Sequence, residues 1–150
     1  MKLLFAVDLT EPEAVTRHVV ELTQRLGAEL YVLHVHVPPP VGPLPIDPMT
    51  GFGDMTYAVY DPAIEASVEA TERHQFDFFV RERFSIPVRP ALLQGDPALT
   101  ILDNADTLDA DLIVVAKRRH GALERFLLGS VSESVLHHAK RPVLVVPVTD

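Results

Sequence analysis

The sequence predicts an α/β fold: a doubly wound, five-stranded parallel sheet with helices on both faces. Three observations predict it. Short, near-continuous apolar runs recur around Leu3, Leu30, Leu112 and Val143, as strands covered on both faces require. Between them lie longer segments whose apolar residues repeat at helical spacing. Turn and cap residues, such as Gly27 and the Gly95, Asp96, Pro97 step, separate the two periodicities. Strands alternating with helices put the strands parallel and the helices outside.

Composition narrows the function. With 150 residues, 47% hydrophobic, the chain fits a single domain over 1–150 that buries a sizeable core. A net charge of −8 argues against bulk attraction to nucleic acid or an anionic membrane, so any anion site must be local. Cysteine is absent, which removes disulfides, thiolate chemistry and Cys-based zinc sites. The apolar start stops at Asp8, and no run approaches the roughly 20 residues of a membrane span. A cytoplasmic protein is expected.

In chain order, Lys2 to Asp8 reads as the first strand, ending at a carboxylate. Thr10 is the N-cap expected of the first helix, with Pro12 in its first turn and Glu11 and Glu13 at the positive end of its dipole. Ala14, Val15, His18, Val19, Leu22 and Leu26 form the expected apolar stripe, and Gly27 the stop. Glu29 to Val37 is a second strand, β-branched and aromatic. Prolines and glycines then crowd an excursion at about 38–60, which reads either as a lid or partner surface, or as a semi-rigid loop.

Asp61 and Pro62 start a second helix, expected to run to about Phe84 through Ile64, Val68, Thr71, Phe76, Phe79 and Val80. Ile86 to Gln94 is the third strand, whose early prolines suit an edge. Asp96 caps a third helix with Pro97 at its first position, followed by Leu99, Ile101, Leu102, Ala105 and Leu108. Leu112 to Ala116 is the fourth strand. A basic loop, a Gly129-Ser130 step, a short helix and a closing strand, Val143 to Val146, complete the chain.

That last stretch carries a resemblance. A strand, Gly129-Ser130, a helix and a closing Pro142-Val-Leu-Val-Val strand are similar to the C-terminal signature of the universal stress protein family, G-x-x-G-x(9)-G-[S/T]. The first two family glycines fall at Ala116 and Arg119, so the motif is degenerate. The resemblance implies strand order 3-2-1-4-5, a ligand crevice where the winding reverses, and ATP or another adenine nucleotide as its ligand. It also implies that Asp8 lies near the base, that Val35 lines it by its backbone, and that Gly129, Ser130, Val131 and Ser132 hold the phosphates. Ala116 adds a methyl where the family has glycine. Arg119 either fills the phosphate cavity or binds phosphate itself.

Other groups carry rival readings. Lys117, Arg118, Arg119 and His120, with Arg125, are either a local patch that draws in a phosphorylated ligand or a solvated loop. Gly95 lies on the same rim. His34 and His36 share a strand face and, with Asp8, offer metal-ligand types, although imidazoles at a strand end usually meet ordinary partners and no metal is expected beyond nucleotide-bound Mg. His137 and His138 suit the negative end of a helix. No nucleophile elbow, P-loop or metalloprotease pattern appears, so no catalytic residue is expected. The closing strand, Val143 to Val148, is the expected homodimer edge. The function implied is a stress-response regulator with an adenine-nucleotide crevice. The alternatives are an interaction protein working through its dimer surface and Pro-rich loop, and, more distantly, a slow ATP hydrolase.

Overall fold

Five strands and four helices alternate along the chain in the structure, a computed structural model that describes residues 1–38, 62–117 and 129–147. They are β1 (Lys2–Val7), α1 (Glu13–Leu26), β2 (Glu29–His36), α2 (Pro62–Arg83), β3 (Val88–Gln94), α3 (Pro97–Leu108), β4 (Leu112–Lys117), α4 (Ser130–His138) and β5 (Val143–Pro147). The sheet runs β3-β2-β1-β4-β5, every pair parallel, with Val7 opposite His34 and Ala116 opposite Val146. This is the doubly wound order expected, and it puts the reversal of winding between β1 and β4.

Strand parity sorts the core into two layers. Leu3, Phe5 and Val7 of β1, with Leu30 and Val32 of β2, pack with Val15 and Val19 of α1 and Phe76 and Phe79 of α2. Leu4, Leu33, Val35, Ile113 and Val115 point the other way, onto Ala98, Ile101 and Ala105 of α3 and Val135 of α4. His34 and His36 share the parity of Leu30 and Val32, so both face α2.

Several local expectations need correction. Pro12, not Thr10, is the N-cap of α1, and it brings no side-chain cap bond. Thr10 instead donates from its hydroxyl and its backbone N–H to Asp8 Oδ1, at 2.5 and 2.9 Å. Glu11 therefore precedes the helix, and Glu13 alone is the acid of its first turn. The buried stripe of α1 is Val15, Thr16, Val19, Val20 and Thr23, while Ala14, His18 and Leu26 are exposed. Ile64, Val68 and Leu99, expected on core faces, are exposed too. In α2 the fully buried residues, Phe76 and Phe79, fall in its second half, and the first turns that carry Ile64 and Val68 are exposed.

Other signals hold. Gly27 closes α1 in the left-handed region (φ 56°). Asp96 accepts the Leu99 N–H at 2.9 Å, with Pro97 following it at the head of α3. β3 is an edge strand. Asp61, the excursion from Pro39 to Tyr60, the residues from Arg118 to Leu128 and Val148 lie outside the described residues.

The N-terminal end of the sheet is tied shut. Asp111 accepts the Lys2 N–H at 2.7 Å, Lys2 Nζ donates to the Leu108 carbonyl at 2.9 Å, and Arg141 donates to Asp106, Asp109 and the Ala110 carbonyl.

Candidate functional site

At the C-terminal ends of β1, β2 and β4 a crevice of about 370 Å³ opens. This is the place where a doubly wound sheet holds ligands. Its floor is apolar, from Leu33, Val35, Ile101, Val115 and Val131, and its rim carries Asp8, Glu11, His34, Glu72 and Ser132. Among the sequence-predicted site residues, Asp8, Val35, Ala116, Val131 and Ser132 all line this one cavity.

The β4 side is built by the first turn of α4. Gly129 is its N-cap in extended conformation (φ −60°, ψ 152°), so the backbone there does not require glycine. A β-carbon at Gly129 meets nothing within 4 Å among the described residues. The first N–H groups of a helix have no intrahelical acceptor and are satisfied by caps, water or a ligand. Ser130, the first helical residue, is exposed. Ser132 is partly committed: its hydroxyl donates to the Ala116 carbonyl at 3.2 Å and fastens α4 to the end of β4. Arg119 lies outside the described residues, as do Arg118, His120 and Arg125. Gly95 (φ 149°) ends β3 with its N–H on the His36 carbonyl at 3.0 Å, and a β-carbon there meets Thr100 Oγ1 at 2.8 Å. Its role is to let α3 start close to the sheet.

The β2 side is polar in a way the sequence did not announce. His34 Nδ1 donates to the Val7 carbonyl at 2.9 Å, and its Nε2 meets Glu72 Oε1 at 2.6 Å. The other carboxylate oxygen of Glu72 takes His36 Nδ1. Burial pushes the Glu72 carboxyl up, but the hydrogen bonds and charges of His36 and His34 outweigh it and hold the pKa below the ordinary carboxylate value. Ring stacking of His34 on Phe76, 5.9 Å between centroids, completes the wall. Both imidazoles turn to Glu72 and Asp8 Oδ1 takes Thr10, so the three side chains do not converge on one point, and no group of three or more metal-ligand types able to hold an ion occurs among the described residues. The same wall separates the crevice from a shallower groove along α2, lined on its far side by Gln75, Phe78 and Arg83.

Glu11 is the second residue the sequence did not place in the site. Leu9 takes a left-handed φ of 72°, and the chain folds back so that Glu11 Oε1 accepts the Asp8 N–H at 2.8 Å. Oε2 is buried with no partner among the described residues. Burial, then the charge of Asp8, raises the Glu11 pKa to about 7. One peptide unit thus serves both sets of side chains: the Val7 carbonyl holds His34, and the Asp8 N–H holds Glu11. Glu72 had a readable signal, since Glu72, Phe76 and Phe79 recur at i, i+4 and i+7 and so share the buried face of α2. Glu11 had none, because a glutamate just before a helix reads equally well as a solvated partner of its dipole.

With this geometry in view, the comparison with known proteins is direct. The universal stress protein family model matches residues 1–147. The chain belongs to the universal stress protein family. Universal stress protein MJ0531 of Methanocaldococcus jannaschii is 30% identical over 131 residues, covering 87% of this chain and 71% of that protein. The universal stress protein from Archaeoglobus fulgidus, solved in complex with dAMP, is 26% identical with a TM-score of 0.56, and the match covers 97% of each chain. A universal stress protein solved in complex with cAMP has a TM-score of 0.63 over 99% of this chain and 98% of that one. At 17% identity that likeness shows the shared fold. As in those structures, the family fold here is a doubly wound sheet. Among the described residues, no helix is long and apolar enough to cross a membrane.

Proposed function

We propose that this universal stress protein is a dimeric, cytoplasmic stress-response regulator whose crevice binds an adenine nucleotide, ATP included. One observation carries the reading: the cavity of about 370 Å³ joins an apolar floor to Val131 and Ser132 in the first turn of α4. That pairing suits a flat heteroaromatic base at one end and phosphates on helix N–H groups at the other. Family members bound to dAMP and cAMP support the same ligand class. Gly129, Ser130 and Ser132 are the residues assigned to the phosphates, and Val35 and Asp8 to the base. Arg119, in place of a family glycine, is assigned to the phosphates as a charged substitute for lost backbone donors.

Isothermal titration of the full chain with ATP tests this. Saturable heat is expected, and Ser130→Ala lowers the affinity several-fold by removing a hydroxyl at the helix start. No heat, and no thermal shift with millimolar ATP, would overturn the reading. The dimer is assigned to the edge of β5, where Val143, Leu144 and Val145 are only half-buried. A monomer mass in sedimentation at high protein concentration would dismiss it. A second reading is favoured by Ile64 and Val68, which are exposed near the start of α2. Such residues suit a protein-interaction surface, the role left if the crevice takes no ligand.

A further inference from the structure

The clasp between β2 and α2 is a closed hydrogen-bond set whose protons can be counted. The Val7 carbonyl only accepts, so His34 Nδ1, 2.9 Å from it, carries a hydrogen. On the other side of the ring, Nε2 lies 2.6 Å from Glu72 Oε1. Two lone pairs do not meet at that distance, so a second proton sits between them. Glu72 is held below the ordinary carboxylate value, which leaves that proton on the ring and makes His34 an imidazolium. His36 is a different case. Its Nδ1 donates to Glu72 Oε2, while its Nε2 is buried without a partner among the described residues, a setting that suits a neutral ring better than a charged one. With two protons on His34 and one on His36, the set holds one more than two neutral imidazoles bring.

We propose that this extra proton latches α2 to the sheet: with it, His34 holds the Val7 carbonyl and Glu72 together, and without it one of the two contacts opens. A neutral ring has one N–H and here faces two acceptors, so it keeps β1 or α2 and not both. His34 and Glu72 line both the crevice of about 370 Å³ and the groove of about 660 Å³ along α2. Opening the latch loosens the wall between the two spaces, whether or not the crevice takes a nucleotide. The carboxylate half fails in acid and the imidazolium half fails as pH rises, so the latch is closed between those limits. Asp8 and Glu11 face it from the crevice, and Asp8, His74, Glu82 and Arg83 from the groove. From β3, Leu92 and Gln94 lie beside His34 and His36 in register, Gln94 reaching Glu65 of α2 at 3.4 Å, and α1 packs on the same face with Val15 and Val19.

Two measurements on the full chain without ligand test the latch between about pH 5 and about pH 8, the span in which histidine cations are lost. NMR of the ring nitrogens is expected to show both nitrogens of His34 protonated at the low end and one at the high end, with a single N–H on His36. Amide exchange, corrected for its intrinsic pH dependence, is expected to accelerate about tenfold in α2 over the same span, as one hydrogen bond to a charged group is lost, and to stay unchanged in β4. Glu72→Gln makes the same contacts without the extra proton, since its amide carbonyl accepts from His36 and its amide N–H donates to a neutral His34. That variant is expected to lose the acceleration. Glu11→Gln removes the neighbouring acid whose pKa is raised to about 7 and is expected to keep it. Acceleration in α2 and β4 together, its persistence in Glu72→Gln or its disappearance in Glu11→Gln overturns the proposal. So does a single N–H on His34 at the low end in the native chain, a result that needs no variant to fold.

Discussion

The two walls of the crevice are built on opposite principles. On the β4 side, α4 contributes main-chain N–H groups, small side chains and one hydroxyl tied to Ala116. On the β2 side, Glu72 is clasped by His34 and His36, and Glu11 is folded against Asp8. The first wall presents fixed dipoles that do not titrate; the second presents side chains whose charge depends on protons. The contrast also predicts where mutation costs stability and where it costs binding.

The largest expected effect strikes the β2 wall. Glu72→Ala leaves His34 Nε2 and His36 Nδ1 facing nothing in a buried setting, and about 3 kcal/mol of stability should be lost, measured by urea unfolding near neutral pH. The pKa of Glu72 is lowered in the folded chain, so its stabilisation is complete above the ordinary carboxylate value and is lost as pH falls through the lower one. Native and Glu72→Ala curves should therefore converge in acid. A constant gap down to low pH would show that the clasp contributes through packing, not charge.

Next comes Glu11→Gln, with the opposite sign. A carboxyl raised from 4.5 to about 7 is held protonated by the fold, so stability falls as pH rises between those values, by up to about 3 kcal/mol. Removing the charge should stabilise the protein by about 2 kcal/mol above pH 7 and leave it unchanged at the acid end of that range. Equal stability at both ends would mean that water reaches the carboxylate. The smallest effect belongs to the β4 wall: Ser132→Ala removes one hydrogen bond of 3.2 Å, worth about 1 kcal/mol, with no pH dependence. A pH-dependent loss there would erase the distinction between the walls.

Much of this fold is legible in the sequence because its signals are local and redundant. The apolar runs give the strands, Gly27 and the Asp96-Pro97 step give helix boundaries, and the early prolines of β3 place it at an edge. The place of the crevice follows, since Asp8 and Ala116 lie at the C-terminal ends of β1 and β4, the two strands between which the winding reverses. The ionisable wall does not follow. Thr10 looks like an N-cap because Thr often is one, yet Asp8, two residues earlier, competes for its hydroxyl and wins. Ile64 and Val68 keep helical spacing, but spacing says nothing of what lies beneath them. Glu72 meets His34 and His36 across about 36 residues of chain, a separation at which periodicity carries no information.

The peptide linking Val7 to Asp8 binds an imidazole through its oxygen and a carboxyl through its nitrogen. Hydrogen bonds at the two ends of one amide polarise each other, so loss of the Glu11 proton alters the pull on His34, and through it on Glu72 and the helix that bears it. A single backbone resonance, the Asp8 amide, therefore reads the protonation of both carboxyl groups at once.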